Sequence, residues 1–114
     1  MRLIFLLSIL IAPQAHADLY SSLSAASFEL LIDNHLGGSG AIVSQDGIGL
    51  VAAHTVMGQR RLEIRSRTLG RQDVEVIAID AGHDIALIRL PLRKGGYPFL
   101  PVAKKALKAG KTIF

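Results

Sequence analysis

A succession of short apolar runs, each closed by turn residues, constrains this chain more than any other feature. Phe28, Leu30 and Ile32 alternate with Glu29 and Asp33 around a central Leu31, and Asn34–Gly38 follows as a turn cluster. Ser39–Ser44 is a second run, Gln45-Asp46-Gly47 a hairpin turn, and Ile48–Ala52 a third run. Leu62 and Ile64 lead a fourth run up to Arg67, Val74, Val76 and Ala78 a fifth, and Asp84–Leu90 a sixth. A period of two marks a half-buried strand, and Gly, Asn and Asp between runs mark the reversals. Six strands roughly ten residues apart predict an antiparallel all-β sandwich or barrel. A closed barrel would leave no exposed edge.

The flanks read differently. Arg2, the apolar stretch Leu3–Ile11 and Ala15-His16-Ala17 follow the order of a secretory signal peptide, cleaved after Ala17. That stretch is far shorter than the ~20 residues that span a bilayer as a helix. Residues 18–27, rich in Ser and Ala, predict a short helix or a loose arm. Pro91–Gly96 reads as a linker, and Lys104, Lys105 and Lys108 as the solvated face of a short helix. Lys111–Phe114 reads as the start of a further strand, so the chain looks like a fragment of a longer protein. The expected organisation is signal 1–17, arm 18–27, barrel 28–90, and linker with the start of a second barrel 91–114. Export places the chain in a bacterial periplasm or outside the cell, with no stable membrane insertion after cleavage.

Composition excludes several functions. The 114 residues contain no cysteine, so disulfide scaffolds and thiolate metal sites are ruled out. Aromatic residues make up 5% with no tryptophan, too few for a base-stacking surface, and the net charge of +4 is scattered. A nucleic-acid partner is therefore not expected. His35 and His83 lack ligand spacing to other donors, so no metal or cofactor is expected. His35 reads as a loop residue and His83 as solvent-facing.

Two polar residues stand at the edges of apolar strands. His54 follows Ala52-Ala53, whose small side chains leave room for an imidazole to turn toward a cleft. Asp84 opens the nearly all-apolar run Ile85-Ala86-Leu87-Ile88, which predicts a partly buried carboxylate in need of a partner. A histidine Nδ1–H is a suitable partner, because that bond leaves Nε2 free as a base. Taken singly, each residue is an ordinary strand-end histidine or turn-forming aspartate.

Their joint context resembles the trypsin-like (chymotrypsin-fold, peptidase S1) serine proteases, in particular the bacterial HtrA/Deg-like branch. The likeness rests on Gly38-Ser39-Gly40, Asp46-Gly47, Ala52-Ala53-His54-Thr55-Val56 and, thirty residues after His54, Asp84-Ile85-Ala86-Leu87. Asp80, four residues before Asp84, matches a frequent family feature. The resemblance covers about Phe28 to Phe114. It implies a six-stranded antiparallel β-barrel as the first of two barrels, a polypeptide substrate, His54 as general base and Asp84 as the acid that orients it. The family nucleophile is absent, since no Gly-x-Ser-Gly-Gly segment occurs and Ser39 and Ser44 precede His54. The 114 residues alone are expected to be inactive, and a full-length form is free to assemble as a homo-oligomer. The competing expectation is a non-catalytic envelope protein that uses a protease-like barrel for binding or assembly.

Overall fold

A computed structural model describes residues 14–58, 61–106 and 108–110. The region expected to be a signal peptide lies outside them up to residue 13, as does Lys111–Phe114. Helix α1 (Gln14–Ala26) runs on past Ala17 into the arm and gives way directly to strand β1 (Ser27–Ile32). The remaining elements are β2 (His35–Ile42), β3 (Ile48–Ala52), the single-turn helix α2 (Ala53–Val56), β4 (Leu62–Ser66), β5 (Gly70–Asp73), β6 (Glu75–Asp80) and β7 (Ile85–Arg89). No described helix is long and apolar enough to cross a membrane.

All pairings are antiparallel, and the strand order is β5-β4-β1-β2-β3-β7-β6. The two outermost strands, β5 and β6, are joined by one residue, Val74. The sheet therefore curls, half-barrel fashion, until its edges come together at that residue. The Val74 N–H donates to the Leu62 carbonyl at this corner. Seven strands form where six runs are legible. β5 is the additional one: its residues Gly70-Arg71-Gln72-Asp73 carry no apolar alternation, and only pairing with β4 makes them a strand.

Alternation places Phe28, Leu30, Ile42, Val51, Leu62, Ile64, Ala86 and Ile88 on the inner face, where they form one core with Leu90 and Tyr97. Leu30 and Leu31 are both buried: Leu30 belongs to the core, and Leu31 lies outside it beside Glu63, its partner on β4. Across from this pair Gly37 is an extra, bulged residue on β2, since Leu30 faces Gly38 and Leu31 faces Leu36.

Two local expectations change. The β1–β2 turn is only Asp33-Asn34, both at positive φ (47° and 70°), the requirement of a tight two-residue hairpin that Asp and Asn tolerate. β2 consequently starts at His35, which pairs with Ile32 and is a strand residue, not a loop residue. Residues 91–106 form neither helix nor strand, so Lys104 and Lys105 do not share a helical face. This segment is held by the β2–β3 hairpin: the Tyr97 N–H donates to the Gln45 carbonyl and the Leu100 N–H to the Ile42 carbonyl.

Candidate active site

His54 and Asp84 meet because β3 and β7 are neighbours. Their last rung pairs Ala52 with Ile85, so the residue after β3 and the residue before β7 emerge at the same end of the sheet. There β3 turns into α2. A helix start leaves backbone N–H groups without intrahelical partners, and Ala52 supplies no side-chain cap. Asp84 supplies acceptors for the first two of them. Its carbonyl oxygen accepts the Ala53 N–H at 3.1 Å, and its Oδ1 accepts the His54 N–H at 2.8 Å. Asp84 stands at φ 57°, in the left-handed region. Asp tolerates this region better than most residues.

The second carboxylate oxygen reaches the imidazole. His54 Nδ1 lies 2.6 Å from Asp84 Oδ2. With a carboxylate there, Nδ1 carries the proton and Nε2 is left with a free lone pair. One residue therefore caps the turn that carries His54 and also orients the ring. The neighbouring Thr55 hydroxyl donates to the Ala52 carbonyl at 2.6 Å and tightens the same turn.

The pair is open to solvent, with the His54 side chain 72% and the Asp84 side chain 50% exposed. This corrects the expectation of a partly buried aspartate. Asp84 sits in the turn ahead of β7, not inside the strand, and the apolar residues beside it are on the other side of that boundary. Its need for a partner is met by hydrogen bonds, not enforced by burial. The His54 N–H first, and then the imidazole, hold the Asp84 carboxyl below the ordinary carboxylate range.

Ser44 and Ser39, which precede His54, have other places. Ser44 Oγ accepts the Ile48 N–H within the β2–β3 turn. Ser39 lies in the middle of β2, across from Glu29. His83 is exposed, as expected, and its Nδ1 lies 2.7 Å from Asp80 Oδ2. Among the described residues no three His, Asp or Glu side chains converge as metal ligands.

Sequence reading missed a charged network built on β4 and β5. Glu63 is only 6% exposed although it lies outside the core. Arg71 covers it with two hydrogen bonds, Nε to Oε2 and Nη2 to Oε1, and Arg61 approaches Oε1 at 3.4 Å. Arg71 also donates to Asn34 Oδ1, tying the β1–β2 turn to β5. The hydrogen bond from Arg71 depresses the Glu63 carboxyl. The alternation of Leu62 and Ile64 around a glutamate fits an exposed partner equally well, so no local signal marks this burial.

No family model matches the chain. Among curated proteins it is 36% identical over 77 residues to serine protease HTRA1 of Xenopus laevis, covering 67% of this chain and 17% of the relative. It is 41% identical over 77 residues to serine protease HTRA1 of Xenopus tropicalis, covering 67% of this chain and 16% of the relative. With serine protease HTRA1A of Danio rerio, 31% identity extends over 105 residues, 90% of this chain and 21% of the relative. The chain thus spans about a fifth or less of the length of these relatives. All three are vertebrate proteins, so the likeness is to HTRA serine proteases at large and not to a bacterial branch in particular. Over the part it shares with them, the chain is a protease-like domain homologous to the HTRA serine proteases.

Proposed function

We propose that this chain supplies the base and its orienting acid to an exported, bacterial HtrA/Deg-like serine endopeptidase acting on polypeptides. The observation that carries the reading is the 2.6 Å contact between His54 Nδ1 and Asp84 Oδ2, held by a second bond from the His54 N–H to the same carboxylate. In the proposed reaction a serine hydroxyl attacks the scissile carbonyl and His54 Nε2 takes its proton. The imidazolium formed is stabilised by Asp84, which stays ionised, and the proton is then handed to the leaving amine. Nucleophile and oxyanion hole come from a second lobe encoded beyond these 114 residues and docked against the exposed His54. Arg2, Leu3–Ile11 and Ala15-His16-Ala17 direct export to the periplasm or the medium.

The test is peptidase activity of the product of the whole reading frame, with Asp84→Asn as the variant. Asn Oδ1 still accepts the His54 N–H, so the turn persists. Its NH₂ group, however, faces Nδ1 and forces the proton onto Nε2. A loss of roughly 10⁴ in kcat with the fold intact is expected, the magnitude known for the analogous change in trypsin. Activity within tenfold of the parent would overturn the assignment, as would a reading frame that encodes no Gly-x-Ser-Gly segment after Phe114.

A further inference from the structure

The turn that presents Asp84 is itself held from behind. β6 and β7 end on the rung Asp80–Ile85, leaving Ala81–Asp84 as a four-residue connection. Two bonds close it. Asp80 Oδ1 accepts the His83 N–H at 3.2 Å, and the Ala81 carbonyl accepts the Asp84 N–H at 3.3 Å. A third contact joins Asp80 Oδ2 to His83 Nδ1 at 2.7 Å. The backbone N–H groups of both residues leading into the Asp84 side chain are therefore anchored.

Asp84 depends on this anchoring. Its left-handed φ of 57° is not one a free loop favours, and the same residue must serve two backbone N–H groups and one imidazole. Burial does not enforce the geometry, since both His–Asp pairs are exposed. What remains is the hydrogen-bonded turn. We infer that Asp80, through its bonds to the backbone N–H and the imidazole of His83, is a positioning residue that sets the Ala81–Asp84 turn so that Asp84 offers both carboxylate oxygens to His54. The inference rests on the His54–Asp84 reading above and adds a second His–Asp pair behind it.

The readout is the titration of the Asp84 carboxyl carbon by NMR, in the protein expressed from its whole reading frame, for the parent, Asp80→Ala and Asp80→Asn. Removing the Asp80 charge relieves repulsion and by itself moves the Asp84 titration downward. Losing the turn lock frees Asp84 from the His54 N–H and moves it upward. Asp80→Ala is expected to shift the titration upward despite the lost charge, and to lower kcat about 10- to 100-fold with KM unchanged. Asp80→Asn keeps an oxygen for the His83 N–H, so its titration is expected at or below the parent's, with kcat largely retained. If Asp80→Ala fails to fold, His83→Ala takes its place, with a smaller upward shift expected. An unchanged or lowered Asp84 titration in the alanine variant, or an equal upward shift in Asp80→Asn, would overturn the inference. The titration needs no turnover, so failure of the protease reading and failure of the positioning role give separate results.

Discussion

The Gly38-Ser39-Gly40 segment offers a sharp test of how the fold carries His54, because its two glycines have different surroundings. Gly40 faces Phe28 across β1. A Cβ there would collide with the Leu50 carbonyl oxygen and would lie 2.7 Å from Phe28 Cζ and 2.8 Å from Val51 Cγ1. The phenyl and valine belong to the core, and the carbonyl is β3 backbone that leads within a few residues to His54. Overpacking of this kind costs about 1–3 kcal/mol, and the upper end applies where backbone has to move. At Gly38 the added Cβ would meet Thr55 Cγ2 at 3.4 Å and Leu30 Cδ2 at 3.8 Å, ordinary van der Waals contacts. Gly38→Ala should be neutral or stabilising by up to about 1 kcal/mol through the unfolded state. In a lobe of this size each kcal/mol moves the melting midpoint by about 4–8 °C. Gly40→Ala is therefore expected to melt roughly 12–24 °C below the parent at the upper end of that cost, and Gly38→Ala at or slightly above it, in thermal unfolding followed by circular dichroism. Equal midpoints for the two variants would refute the packing argument.

Two further outcomes follow from hydrogen bonds away from the site. Arg71 depresses the Glu63 carboxyl, so this group contributes stability above the ordinary carboxylate range, lost as pH falls through its lowered folded value. Glu63→Gln should lower the urea midpoint at neutral pH and flatten its decline on the acid side; a parallel decline would contradict the linkage. The Tyr97 hydroxyl lies 2.6 Å from the Pro91 carbonyl and 3.0 Å from Gln72 Oε1, and the ring is 5% exposed. Tyr97→Phe should cost about 0.5–1.5 kcal/mol through the lost hydrogen bond, measured by urea unfolding, and an unchanged midpoint would show that water replaces the bond.

What the sequence reveals depends on the kind of force at work. Strands with a core face are legible because burial imposes alternation, as in Phe28, Leu30, Ile42, Val51, Ile64 and Ile88. β5 is illegible because only ladder pairing makes Gly70–Asp73 a strand. The β1–β2 turn is misplaced toward Gly37 and Gly38 because glycine is the louder turn signal, yet Asp33 and Asn34 accept positive φ and take the turn. At the site, the meeting of His54 and Asp84 is legible from the resemblance and from chemistry. Its enforcement is not. Sequence suggests burial of Asp84, whereas hydrogen bonds hold it at an exposed turn. The roles of Asp80 and His83 depend on a four-residue turn whose geometry no periodicity encodes.

The central claim, that His54 is the base of a peptidase, is tested most directly by replacing its imidazole. His54→Ala leaves its backbone N–H bond to Asp84 Oδ1, so α2 should form and the fold should persist. In the product of the whole reading frame, kcat/KM for an unstructured polypeptide substrate is expected to fall by roughly 10³-fold or more, with the circular dichroism spectrum unchanged. A correctly folded His54→Ala variant that still cleaves the substrate at a rate near the parent's would contradict the claim.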